Sequence, residues 1–252
     1  MPRPAKYLSG FGFTLIELLT VIAIIGILAA IIIPTVGSVR EKAQRAVDAN
    51  NLREIAKAAM LYAGDNNDRL PDPGTLPASV LTAPERVFLW PGVLARHGIL
   101  TDPSMYFSKN DPLFNGTFPD AIISPGNRTS LDPTFTGERA LSFEFVGGVK
   151  MSDPPTTPIA FTRGLKPDGT WDAETGVYKD AGGYVVFLGG NIQFFPNTAT
   201  GKFVSNRSGQ RTDNILESIP YNATNPNLSA RIYATTGGGT GSPAGVAAVQ
   251  GP

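Results

Sequence analysis

From Phe13 to Ile33 the chain reads FTLIELLTVIAIIGILAAIII, an apolar run broken only by Thr14, Glu17, Thr20 and Gly26. At about 1.5 Å per residue, a helix of this length spans roughly 30 Å, the hydrocarbon thickness of a bilayer. A secretory signal has a shorter apolar core, followed by a polar region and a small-residue cleavage site. Here the run is longer, and Pro34 is followed by more helical pattern instead of a break. The run therefore predicts one membrane-spanning helix over 13–34, with the rest of the chain folding in water.

Beyond Pro34, the residues Val36, Val39, Ala43, Ala46, Val47, Ile55, Ala58, Ala59 and Tyr62 recur at spacings of three and four. Arg40, Glu41, Lys42, Arg45, Asp48, Arg53 and Glu54 lie between them. This period predicts an amphipathic continuation of the helix over 35–64. Pro34 is expected to kink it, and Gly64 to end it in a left-handed conformation. Ahead of the apolar run, residues 1–12 carry only Arg3 and Lys6 as charges and close on Ser9-Gly10-Phe11-Gly12, a short basic leader.

The remainder, 65–234, reads as one globular head. The chain has 28 glycines and 22 prolines among its 252 residues, which predicts short elements joined by many turns. Leu141–Val146 alternates Leu141, Phe143 and Phe145 with Ser142, Glu144 and Val146, and Ile159–Thr162 is a second strand candidate. The best hairpin runs Tyr184–Leu188, Gly189-Gly190, Asn191–Phe195, with both glycines supplying the positive φ of a two-residue turn. These strands predict a small antiparallel sheet packed on the amphipathic half of the helix, an α+β fold. The uncharged Gly- and Ala-rich stretch 235–252 reads as a flexible tail.

Composition narrows the function. Twenty-one basic and 21 acidic residues balance and are scattered, so no basic stretch offers a surface to nucleic-acid phosphates. There is no cysteine, which removes disulfides, thiolate metal sites and cysteine nucleophiles. His97 is the single histidine, and neither a Gly-x-Ser-x-Gly elbow nor a phosphate-cradling glycine loop accompanies it. Catalysis by the head is not expected. Asp65, Asn66, Asn67 and Asp68 offer oxygens to Ca²⁺, but without the glycine and distant glutamate of an EF-hand loop they read first as a helix-ending turn. No cofactor is expected.

At Gly12-Phe13-Thr14-Leu15-Ile16-Glu17-Leu18-Leu19 the sequence resembles the type IV pilin and type II secretion pseudopilin family. The basic leader, the glycine before an aromatic, the glutamate five residues into the mature chain and the proline-interrupted apolar helix coincide. The resemblance is specific over 9 to about 64. Tyr62–Asp68 and, in the head, Phe143–Gly148 and Gly183–Phe194 are similar to segments of pseudopilin-like proteins from planctomycetes and verrucomicrobia. Those relatives often carry Asp-Gly-His at the hairpin turn, where this chain has Gly189-Gly190-Asn191, so no ligand role transfers.

The resemblance implies cleavage between Gly12 and Phe13 by a prepilin peptidase and N-methylation of Phe13. It also implies assembly with other pilin or pseudopilin subunits on an inner-membrane platform, with a cytoplasmic leader and an extracytoplasmic head. Charge alone does not orient the span, because Arg40, Lys42 and Arg45 follow it as Arg3 and Lys6 precede it. Glu17 is the sharpest single residue, since a carboxylate within an apolar span is costly and is functional by default. Its partner by spacing is the amine of Phe13, about 6 Å along the axis; the resemblance implies the amine of a neighbouring subunit. Pro34 is assigned to filament packing and Gly26 to ordinary tolerance within a membrane helix. The alternative function is a membrane-tethered binding protein that does not assemble, using Trp90, Trp171, Tyr178 and Tyr184 to stack on a polysaccharide.

Overall fold

The computed structural model describes residues 13–75, 81, 83, 85–137, 140–225, 228–235 and 246–248. Contacts divide the chain into two units, 1–43 and 44–252. One helix, α1 (Leu15–Asp65), contributes to both.

In the first unit α1 is apolar on every side, and its leucines and isoleucines from Leu15 to Ile33 are exposed. Among the described residues it is the one helix long and apolar enough to cross a membrane. Two of its hydroxyls are satisfied within the helix: Thr20 donates to the Glu17 carbonyl at 2.9 Å and Thr35 to that of Ile32 at 2.8 Å. This local bonding removes the cost of carrying threonine into an apolar medium. The helix continues through Pro34.

In the second unit α1 buries Asp48, Asn51, Leu52, Ile55, Ala56, Ala59, Tyr62 and Ala63, a face with the helical three-four spacing. The apolar period predicted from Val36 onward is buried only from Ile55; Val36, Val39, Ala43, Ala46 and Val47 are exposed. The helix end also differs from expectation. Gly64 stays helical, and the left-handed residues are Asn67 and Asp68, each with φ of 56°. The Asp68 amide donates to the Ala63 carbonyl at 3.0 Å, the six-to-one bond of a Schellman end, while Asn66 Nδ2 caps the Tyr62 carbonyl at 2.8 Å. Asparagine tolerates this conformation well enough to take the place expected of glycine.

The sheet of this unit is antiparallel, with strand order β4-β3-β2-β1-β7-β8. Its strands are β1 (Phe143–Gly147), β2 (Pro158–Thr162), β3 (Gly182–Phe187), β4 (Ile192–Pro196), β7 (Arg231–Tyr233) and β8 (Val246–Ala248). A separate two-stranded ribbon pairs β5 (Phe203–Val204) with β6 (Arg211–Thr212). Helix α2 (Arg86–Arg96) brings Trp90 flat onto Phe145, with ring centroids 4.4 Å apart and planes 7° off parallel. Tyr106 meets Phe145 edge-on at 6.0 Å, and Phe135 of the short helix α3 (Pro133–Thr136) meets Tyr106 at 6.1 Å.

The alternation read in Leu141–Val146 lies on strand β1, which is buried at every position, Glu144 included. The sheet face that carries Glu144 continues in register through Phe161, Val185 and Gln193, and a second layer packs at its β4 end. Phe195 packs on Phe203 of β5 at 5.8 Å, and Phe203 and Ile215 of the short helix α4 (Ile215–Ser218) are both buried in the core. The hairpin turn is one residue longer than predicted. The Gly190 amide donates to the Phe187 carbonyl at 2.8 Å and the Phe187 amide to that of Asn191 at 2.9 Å. Gly190 alone has positive φ, 81°, as in a three-residue turn ending in a glycine bulge. Within the stretch read as a tail, Val246–Ala248 forms the outer strand β8 on β7.

Candidate functional site

The first turn of α1 holds the N-terminal candidates. Thr14 is the residue ahead of the helix and Glu17 stands three further on, the spacing of a capping box. Glu17 Oε2 accepts from the Thr14 amide at 2.8 Å and from the Thr14 hydroxyl at 2.7 Å, and the Thr14 Oγ1 accepts from the Glu17 amide at 3.2 Å. Two amides that a helix start leaves unbonded are thus satisfied within an apolar run. Among the described residues Oε1 of Glu17 has no hydrogen-bond partner. Phe13 directly precedes this turn and is exposed. Gly12 and the leader 1–12 lie outside the described residues, as does the side chain of Pro34. The Thr-x-x-Glu signature was present in the sequence and identifies this cap without any resemblance.

In the second unit the polar chemistry gathers where sequence reasoning did not look. Asp48, placed by the pattern among polar surface residues, is fully buried. It accepts from Ser108 Oγ at 2.6 Å, from the Tyr178 hydroxyl at 2.5 Å and from Gln44 Nε2 at 3.0 Å. The network continues from Ser108, whose amide donates to Ser142 Oγ at 2.8 Å, to Asp111, which accepts from Ser142 at 2.6 Å. Arg163 then closes a buried bidentate pair on Asp111 at 2.9 and 2.5 Å, with further bonds to the carbonyls of Leu141 and Thr175. Burial pushes the Asp48 carboxyl above its usual range, against its three hydrogen bonds, and burial with the adjacent Asp48 charge pushes the Tyr178 phenol up. The network joins α1, the 108–111 loop, the residues leading into β1 and the loop after β2. Nothing in local pattern marks it, because its members are far apart in the chain.

The remaining candidates have structural positions. His97 Nδ1 lies 2.8 Å from the Val93 carbonyl and its ring meets Tyr62 edge-on at 4.9 Å. Asp65 to Asp68 form the end of α1, and among the described residues no three His, Cys, Asp or Glu side chains are grouped to hold a metal ion. Trp90, Trp171 and Tyr178 are buried, which takes three of the four proposed stacking rings off the surface. Tyr184 joins Tyr178 and Phe194 in an aromatic box, and the Arg45 guanidinium sits 5.0 Å from the Tyr178 ring and 5.1 Å from that of Phe194. The rings are therefore occupied by this chain's own cation.

The long apolar helix with a capped glutamate in its first turn and an antiparallel sheet in the following unit define a pilin-like α+β protein. Comparison with known proteins agrees. Residues 11–33 match the model of the prokaryotic N-terminal methylation motif. Over 56 residues the chain is 50% identical to the type IV wide pilus major component PilA4 of Thermus thermophilus, covering 22% of this chain and 43% of that protein. It is 44% identical over 55 residues to type II secretion system core protein G of Pseudomonas aeruginosa, covering 22% and 39%. It is 38% identical over 56 residues to the core protein G of Pectobacterium carotovorum, covering 22% and 36%. The matches span less than half the length of each of these relatives. No solved structure matches the chain at a significant level. The N-terminal segment is similar to that of type IV pilins and type II secretion core proteins.

Proposed function

We propose that this chain is a structural subunit of a type IV pilus or type II secretion pseudopilus, matured by prepilin peptidase and assembled through α1. The observation that carries the reading is the methylation motif lying on a helix whose apolar side chains are exposed on all sides around one capped glutamate. In a bilayer that helix is stable as an anchor, and in a filament its exposed residues bury against other copies.

Cleavage between Gly12 and Phe13 frees an amine next to the Thr14 amide that Glu17 Oε2 already holds. The Glu17 Oε1 remains to take that amine or the one of an incoming subunit, a charge-assisted hydrogen bond that is strong where water is excluded. Methylation of Phe13 leaves the amine basic, so the pair survives. Pro34, which has no amide hydrogen, gives the helix a place to bend during packing. The partners of this reading are the peptidase, other pilin or pseudopilin subunits and an inner-membrane platform, with the leader cytoplasmic and the head extracytoplasmic. The head is assigned no catalytic role.

Intact mass spectrometry of membrane-extracted protein tests the maturation step. A mature start at Phe13 with one added methyl is expected, and retention of 1–12 overturns it. Glu17→Ala tests assembly: processing is expected to persist while incorporation into filaments falls, and normal incorporation removes Glu17 from the mechanism.

A further inference from the structure

Among the described residues strand β4 ends the sheet, and its outer edge lacks the usual protection. Edge strands are normally kept from pairing with other chains by charged side chains, bulges or prolines. The segment reads Ile192-Gln193-Phe194-Phe195-Pro196, with no charge and its proline at the far end. The Phe187 amide bonds the Asn191 carbonyl, so the hydrogen-bonded pairs two and four residues along are Val185 with Gln193 and Gly183 with Phe195. The amides and carbonyls of Ile192 and Phe194 therefore point away from β3, two donors and two acceptors along an open edge.

A groove borders this edge. Two adjoining depressions of about 370 and 450 Å³ share Gln193, Lys202 and Arg211, and Phe187 and Phe203 add apolar surface to the first. Among the described residues no aspartate or glutamate lines either depression. The Lys202 ammonium is buried, 3.6 Å from Asp213. Arg211 is exposed, and its guanidinium reaches only as far as the Gly201 carbonyl, at 3.4 Å. The groove thus presents a positive charge beside unpaired backbone groups.

We propose that the β4 edge and this groove dock an extended peptide segment of another protein, which adds as a further strand and brings an acidic side chain onto Arg211. Backbone pairing to Ile192 and Phe194 supplies the affinity, and the alternate side chains that fall on the Gln193 side of the sheet enter the groove and supply the selectivity. The charge complementarity selects an acidic partner over a neutral or basic one. The proposal stands whether or not the chain assembles into a filament.

The test displays short random peptides to the full chain in detergent micelles and then measures binding of a synthetic peptide of the enriched sequence. Enrichment of strand-forming peptides with Asp or Glu at one fixed position is expected. Arg211→Glu should weaken the synthetic peptide about tenfold or more, the loss of one charge-assisted contact worth about 1.4 kcal/mol. A peptide with Lys at the fixed position should recover binding to that variant. Ile192→Pro removes an outward amide without touching the β3 ladder, and is expected to abolish binding at an unchanged melting temperature. If that variant does not fold, the Arg211→Glu exchange still decides. Enrichment of neutral or basic peptides, no enrichment, or binding indifferent to Arg211→Glu overturns the proposal. Self-association of the chain without peptide that Ile192→Pro abolishes also overturns it, by making a second copy the occupant.

Discussion

Glu144 stands in the middle of the sheet, fully buried, and among the described residues neither carboxylate oxygen has a hydrogen-bond partner. Burial pushes its carboxyl from the ordinary 4.5 up to about 8, and the Arg163 charge draws it only partly back. The folded protein therefore holds this proton more tightly than the unfolded chain. The associated stability is fully present below about pH 4.5 and is lost as pH rises through about 8, at no more than about 1.4 kcal/mol per pH unit. Glu144→Gln removes the titration, so thermal melts from about pH 5 to about pH 8 should decline less steeply than in the parent. Identical slopes would exclude Glu144 as the titrating group. Asp111 and Arg163 pose the opposite case, a buried pair in which each charge is compensated. Arg163→Met should cost about 3–5 kcal/mol by leaving the carboxylate unpaired, and Asp111→Asn combined with it should restore part of that loss. Urea denaturation of the two variants reads the difference; equal stability of parent and Arg163→Met contradicts the pairing.

At the level of elements, the end of α1 carries two left-handed residues, Asn67 and Asp68, and the β3–β4 hairpin carries one, Gly190. Asn67 holds φ of 56° at the helix end, where glycine has no Cβ to oppose the conformation. Asn67→Gly should therefore leave stability equal or raise it by up to about 1 kcal/mol, whereas Asn67→Val should lower it by about 1–2 kcal/mol. Gly190 gives a cleaner test, because a Cβ there meets nothing within 4 Å and φ is 81°. Gly190→Val should cost about 1–2 kcal/mol through backbone strain alone. Midpoints in thermal denaturation check both, and a neutral Gly190→Val would mean that the turn relaxes to another type. The Thr14 to Glu17 cap belongs to this scale too: Thr14→Ala removes a hydrogen bond to the carboxylate and frees it to fray the helix start.

For the molecule as a whole, the exposed apolar surface of α1 is its main unsatisfied feature. It includes the span and continues past it, through Val36, Val39 and Val47. These side chains contribute nothing to the core of the single chain, and on the proposed filament reading their spacing serves packing against other copies. Val39→Glu should therefore leave the melting temperature of the detergent-solubilised protein within about 1 °C of the parent while reducing assembly. Cysteines introduced along 15–30 should give crosslinked ladders in the parent and fewer with Val39→Glu. Absence of ladders in the parent contradicts filament assembly.

What local pattern alone determined is the part of the chain governed by near-neighbour physics. The apolar run and its period predicted α1, and alternation with a glycine pair predicted β1, β2 and the β3–β4 hairpin, because these signals repeat within a few residues. The N-terminal motif and Glu17 were legible for the same reason. Contacts between distant segments decided the rest. Asp48 reads as surface by its type and place, and only the convergence of Ser108 and Tyr178 on it makes burial affordable. Glu144 alternates with the phenylalanines of its strand, and only the packed fold buries it completely. Whether a polar side chain is a surface residue or a buried one depends on what the fold brings opposite it, and no window along the chain contains that partner.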